Sequence, residues 1–209
     1  MKRNSRSGTL AASALRESGF SLVEFLISTL VLLLVATAVF AVLAETQRAA
    51  SYQTEVQAVM DNSRVALETL ERILRQAGNN PQGAALTPIT IISPTEVQVQ
   101  SDLTGSVPPD RGDPDGQIDD PGENLTIRYN AGNRTIELIP NGGSAMPVAN
   151  YISAFTIEWF DALGAATVNG AAATRARIRL TATTAVPNPQ TRQIFGMQQA
   201  CDVLIQSRL

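Results

Sequence analysis

Gly19-Phe20-Ser21-Leu22-Val23-Glu24 opens a run that stays apolar as far as Leu43; residues 20–43 read FSLVEFLISTLVLLLVATAVFAVL. Those 24 residues are enough for a helix to cross a bilayer, which takes about 20. The one charge in the run is Glu24, close to its start. Lys2, Arg3, Arg6 and Arg16 all precede the run. Positive charge on the near side of an apolar span keeps that side in the cytoplasm and sends the remainder across. A carboxylate inside hydrocarbon is costly, so Glu24 is expected to have a partner or to sit among the lipid headgroups.

The order of the parts is informative. An ordinary secretory signal places its apolar core before the cleavage point and loses it. Here a polar leader, residues 1–19, ends in Ser18-Gly19, and the apolar core follows. The string G-F-S-L-V-E in this setting resembles the class III signal of type IV prepilins and type II secretion pseudopilins. The resemblance implies that a prepilin peptidase cuts after Gly19 and that Phe20 becomes the methylated N-terminus. It also implies that Glu24, fifth residue of the mature chain, pairs with the Phe20 amino group of a neighbouring subunit and sets the axial register of assembly.

Between Phe20 and Ala77 there is no Gly or Pro, a span of 58 residues. Past the apolar run, Val56, Val59, Met60, Ala66, Leu67, Leu70, Ile73, Leu74 and Ala77 recur in steps of three and four, which makes one stripe of a helix apolar. Glu55, Asp61, Arg64, Glu68, Arg72 and Arg75 occupy the opposite face. Gly78-Asn79-Asn80-Pro81 stops the helix, with Arg72 and Arg75 near the negative end of its dipole. The stripe needs a cover, and a sheet from the rest of the chain is the expected one. Within the pilin-like family, Asn62-Ser63-Arg64-Val65-Ala66-Leu67, then Leu70-Glu71-Arg72 and Leu74-Arg75-Gln76-Ala77-Gly78, most resemble PilW-type minor pilins. Major pilins commonly have Pro near mature position 22, where this chain has Ala41.

Beyond Pro81 the hydrophobic period changes to two. Candidate strands are 89–93, 96–100, 124–130, 134–139, 152–160, 174–183 and 200–207, with a hairpin turn at Ala131-Gly132. Phe155, Ile157 and Trp159 share the face expected to be core. Arg175, Arg177 and Arg179 alternate with apolar residues, which predicts a solvated sheet face. With no long crossovers for parallel pairing, the expected fold class is α+β: a long N-terminal helix packed on a mostly antiparallel sheet, as in pilins. The chain then divides into leader (1–19), apolar anchor (20–43), amphipathic helix (44–80) and β-rich head (81–209).

Charge and composition narrow the function. The chain of 209 residues has net charge −3; the leader contributes +3 and leaves −6 on the remainder. An acidic body does not favour nucleic acid as a partner. There is no His, the only Lys is Lys2, the only Cys is Cys201, and no Ser lies in a nucleophile-elbow pattern. The usual general base, Ser–Lys chemistry and a nucleophile elbow are therefore missing, and no enzyme is expected. Cys201 has no partner for an internal disulfide.

The segment from Asp110 to Glu123, DRGDPDGQIDDPGE, is dense in carboxylates. Asp113, Asp115, Gly116, Ile118 and Asp119 match positions three, five, six, eight and nine of an EF-hand-like loop, and Glu123 falls one residue late for position twelve. Asp113, Asp115, Asp119 and Glu123 are thus candidate Ca²⁺ ligands, the alternative being an acidic surface loop with Asp turns. Arg111-Gly112-Asp113 spells a cell-attachment tripeptide that three residues match readily by chance. Asn124-Leu125-Thr126 and Asn133-Arg134-Thr135 fit a glycosylation pattern of little weight in bacteria.

Together these readings predict a minor pilin of a type IV pilus that helps to initiate or cap the filament. Its expected partners are other pilins, the prepilin peptidase and the inner-membrane assembly platform. Its expected place is a bacterial inner membrane, single pass with a periplasmic head, and then an extracellular pilus or a periplasmic pseudopilus. A type II secretion pseudopilin, or an anchored adhesive module, remains the alternative.

Overall fold

The computed structural model describes residues 20–105 and 111–205. Gly19, the leader and the end of the last candidate strand lie outside the described residues. Among the described residues, one helix, α1 (Leu22–Gln76), is followed by eight strands. These are β1 (Ile89–Ser93), β2 (Glu96–Gln100), β3 (Asn124–Asn130), β4 (Thr135–Pro140), β5 (Met146–Ala149), β6 (Ile152–Phe160), β7 (Arg175–Thr183) and β8 (Gly196–Leu204). The chain divides into two units, one through Gln47 and one from Arg48 onward.

In the first unit the side chains of α1 are exposed around the whole helix; only Thr29, Ala36 and nothing else between Leu22 and Leu43 is partly covered. Helical backbone satisfies its own hydrogen bonds, so such a segment is suited to an apolar surround. Thr29 and Thr37 donate their hydroxyls to the carbonyls of Phe25 and Leu33, 2.7 Å each, so they also present little unpaired polarity.

In the second unit α1 packs on antiparallel sheets. Val59, Ser63, Ala66, Leu70, Ile73 and Leu74 are buried at helical spacing. The predicted stripe is therefore real, with two adjustments. Met60 is exposed, and Ser63 sits in the stripe. A buried hydroxyl is tolerated there because Ser63 Oγ donates to the Met60 carbonyl at 2.7 Å. Glu55, expected on the solvent face, instead accepts the backbone N–H groups of Ala185 and Val186. The helix ends where Gly78 takes φ 74°, a left-handed value that Gly adopts freely. Its N–H donates to the Gln100 carbonyl at 2.8 Å, tying the helix terminus to β2.

The strands form two sheets rather than one. The first is a five-stranded meander in the order β1-β2-β3-β4-β5, the second a three-stranded sheet β6-β7-β8. Every strand pair is antiparallel. Val97, Val99, Ile127 and Ile136 from the first sheet join Phe155, Ile157, Trp159, Ile178, Leu180 and Val203 from the second and the helix stripe in one core. The sheets are also fastened by polar bonds. Tyr129 Oη donates to the Ile152 carbonyl at 3.1 Å, and Arg134 Nη2 donates to the Thr183 carbonyl at 2.9 Å.

Arg134 does not begin a strand. The β3–β4 loop is 131–134, and the residue with positive φ in it is Arg134, at 56°, not Gly132. The Arg175, Arg177 and Arg179 row faces outward as expected, and cross-strand partners neutralise much of it. Arg177 Nε donates to Asp202 Oδ1 at 2.7 Å, and Arg179 lies 3.2 Å from Glu158. The Arg175 guanidinium carbon stands 4.5 Å from the Phe160 ring centroid.

Candidate functional site

Two places hold the residues singled out by the sequence: the start of α1 and the acidic segment after β2.

Ser21 is the N-cap of α1. Its Oγ accepts the Val23 N–H at 3.3 Å, and Glu24 Oε2 accepts the Ser21 N–H at 2.9 Å. The two bonds make a capping-box variant of Ser-x-x-Glu, with the Ser21 hydroxyl on the second rather than the third helical N–H, and two otherwise unsatisfied donors are satisfied by side chains. The first backbone bond of the helix, Phe25 N–H to the Ser21 carbonyl at 3.1 Å, closes beside it. The pattern was legible in Ser21-Leu22-Val23-Glu24. Glu24 also places a carboxylate in the first turn, where the helix dipole favours it. Glu24 Oε1 makes no bond among the described residues, so the cap leaves one carboxylate oxygen for an outside donor. Phe20 is exposed next to it.

The acidic segment is held from below by one carboxylate. Glu123 is 0% exposed. Its Oε1 accepts the N–H groups of Leu103 and Thr104 at 2.7 and 2.9 Å, and its Oε2 accepts the Asp120 N–H at 3.1 Å. Glu123 thus knots the chain leaving β2 to the chain entering β3. All this acceptor capacity goes to backbone, so Glu123 serves the loop and is not brought together with the other candidate ligands.

Three other carboxylates do converge. Asp115, Asp119 and Asp120 each present an oxygen within 4.8 Å of the other two. Asp113, expected in the same set, is exposed and outside this group. Asp120, not among the predicted ligands, takes its place. Asp102, from the segment after β2, was missed altogether; it is 0% exposed, and its Oδ2 accepts the Gly116 N–H at 3.1 Å. Gly116 turns there with φ 82°, and Asp115 Oδ1 accepts the Gln117 N–H at 2.9 Å. Asp102 lies fourteen residues before Gly116, so no local spacing rule could have joined them. The adjacent pair Asp119-Asp120 was the available signal for Asp120.

Elsewhere, the Cys201 thiol is pushed above its ordinary value by partial burial and then by the Glu71 carboxylate. A thiol held protonated is a poor nucleophile. Glu137 is held below the usual carboxylate range, first by its hydrogen bond from Arg128 (2.8 Å) and then by Asn130 (2.9 Å).

No protein-family model matches this chain, and comparison with curated proteins finds no match.

Proposed function

We propose that this chain is a prepilin-type subunit, a minor pilin of a type IV pilus, anchored first in the bacterial inner membrane with its head in the periplasm. The observation that carries the reading is the first part of α1: long and apolar enough to cross a membrane, exposed on every side, and headed by a single carboxylate. A segment of this kind must be covered by lipid or by other helices. The G-F-S-L-V-E string supports peptidase cleavage between Gly19 and Phe20, the new amino group becoming the donor for a neighbour's Glu24. The acidic head, with neither His nor a second Lys, supports a structural rather than an enzymatic role.

The experiment is mass spectrometry of the N-terminal peptide from sheared surface filaments and from membranes. A methylated peptide starting at Phe20 in the filaments is the expected result. The same peptide confined to membranes favours a secretion pseudopilin, and an intact Met1 leader beside an active peptidase refutes the reading. Glu24 gives a second test. Gln serves in a capping box as Glu does, so Glu24→Gln keeps the helix start while removing the charge. Filament incorporation is expected to fall with Glu24→Gln while membrane anchoring persists; incorporation equal to wild type would refute the charge pairing.

A further inference from the structure

We propose that Asp115, Asp119 and Asp120 form a Ca²⁺ site on the head, with Asp102 bracing the turn that carries Asp115, a feature independent of the pilus reading.

The separations suit the ion. Ca²⁺ binds oxygen at about 2.3–2.6 Å, so two ligands across it stand about 4.6–5.2 Å apart at most. The oxygens of Asp115, Asp119 and Asp120 already lie within 4.8 Å of one another. Three carboxylates this close repel unless a cation lies between them. Among the described residues, no Arg pairs with any of these four aspartates.

A second observation points to a ligand. Asp120 Oδ2 and Asp102 Oδ1 are buried and have no hydrogen-bond partner, on residues that are 8% and 0% exposed. Buried polar atoms are nearly always satisfied, and a carboxylate oxygen left bare inside a protein is costly. Asp120 belongs to the converging group itself. Asp102 adjoins it, since its other oxygen holds the Gly116 N–H at the turn that carries Asp115. A cation among the converging carboxylates would supply the missing partner for Asp120 Oδ2 and relieve the repulsion among the three.

The donor set selects the metal class. Every ligand is a carboxylate, with no imidazole or thiolate, which suits a hard divalent cation. Mg²⁺ needs oxygens at about 2.0–2.1 Å in a near-ideal octahedron, so this looser, partly buried set favours Ca²⁺. The site is not an EF-hand. Position twelve is Gly122, and Glu123, the residue beside it, is spent on three backbone N–H groups. Glu123 instead holds the backbone of Asp120 to that of Leu103 and Thr104, and so fixes the loop that carries the ligands.

The test uses the full chain in detergent micelles, stripped with a chelator and titrated calorimetrically with CaCl₂ and, separately, MgCl₂. One saturable Ca²⁺ event is expected, with a dissociation constant of about 10⁻⁴–10⁻³ M, as in extracellular modules. Asp119→Asn and Asp120→Asn are expected to weaken it at least ~10-fold, because affinity follows the number of charged ligands, and Asp113→Asn to leave it unchanged. Thermal melts separate ligand loss from misfolding. In chelator, Asp120→Asn melts no lower than wild type, since it removes an uncompensated buried charge; in Ca²⁺ the order reverses. No Ca²⁺ response by wild type at ~10 mM, wild-type affinity in both Asn variants, or equal affinity for Mg²⁺ would overturn the assignment.

Discussion

Glu123→Gln separates a structural carboxylate from a metal ligand. In the native loop, Glu123 Oε1 takes two backbone N–H groups and Oε2 takes the third, from Asp120. A Gln at this place can keep its carbonyl oxygen toward Leu103 and Thr104. Its amide nitrogen then faces the Asp120 N–H, donor against donor. Losing that bond at a fully buried position costs about 1–3 kcal/mol. The two surviving bonds lose their charge assistance, about 1 kcal/mol each. Relief of the buried carboxylate's desolvation offsets part of this, leaving a net cost of about 2 kcal/mol. For a unit of this size, that lowers Tm by about 4–8 °C. The assay is thermal unfolding of the full chain in micelles, followed by circular dichroism with and without chelator. The drop is expected in both conditions. A ligand in the twelfth place would show its loss only when Ca²⁺ is present. A fall below ~2 °C in chelator, against the magnitude above, would refute the structural role.

Two further substitutions probe the head. A Cβ built on Gly170 would stand 2.0 Å from the Ile89 carbonyl oxygen and 2.9 Å from its carbon. Both are backbone atoms of β1, so Gly170→Ala must displace the loop or the strand. It is expected to cost about 1–3 kcal/mol, read as a lower midpoint in urea. Glu137 bears on acid stability. Its folded carboxyl is the stronger acid because Arg128 and Asn130 bond its ionised form. Its contribution is therefore full above the unfolded value of about 4.3 and falls away as pH drops through the lower folded value. Glu137→Gln is expected to flatten the acid side of a Tm–pH profile below about pH 4.3 while lowering Tm at neutral pH; an unchanged acid limb would refute the assignment.

Much of the fold was legible because period and punctuation agreed. β1, β2, β3 and β6 fall on the predicted residues, and β4 and β7 begin one residue late. In β6 the alternation buried Phe155, Ile157 and Trp159 as read. β5 was hidden by Pro147, which lowers strand propensity and is tolerated here because β5 is an edge. β8 starts at Gly196, four residues before its reading, because Gln198 and Gln199 conceal the alternation of an edge strand. Two sheets in place of one is a tertiary outcome, and nothing in local periodicity distinguishes them. The site was legible in kind but not in membership. Carboxylate density located the loop, whereas the convergence of Asp120, and not Asp113 or Glu123, with Asp115 and Asp119 follows from how the loop folds, with Glu123 and Asp102 holding backbone N–H groups of segments far apart in sequence.

If the chain is the subunit proposed above, the evenly exposed apolar surface of α1 between Leu22 and Leu43 has an energetic consequence. Lipid tails and neighbouring helices are equally apolar, so moving this segment from one to the other changes its hydrophobic free energy little. The transfer needs no large uphill extraction, only a surround that is never water. What remains to decide its direction is the single polar feature at the tip, where Glu24 caps its own helix through one oxygen. On that proposal the chain can wait in one apolar medium and be collected by another, with the choice concentrated in a few atoms at its end.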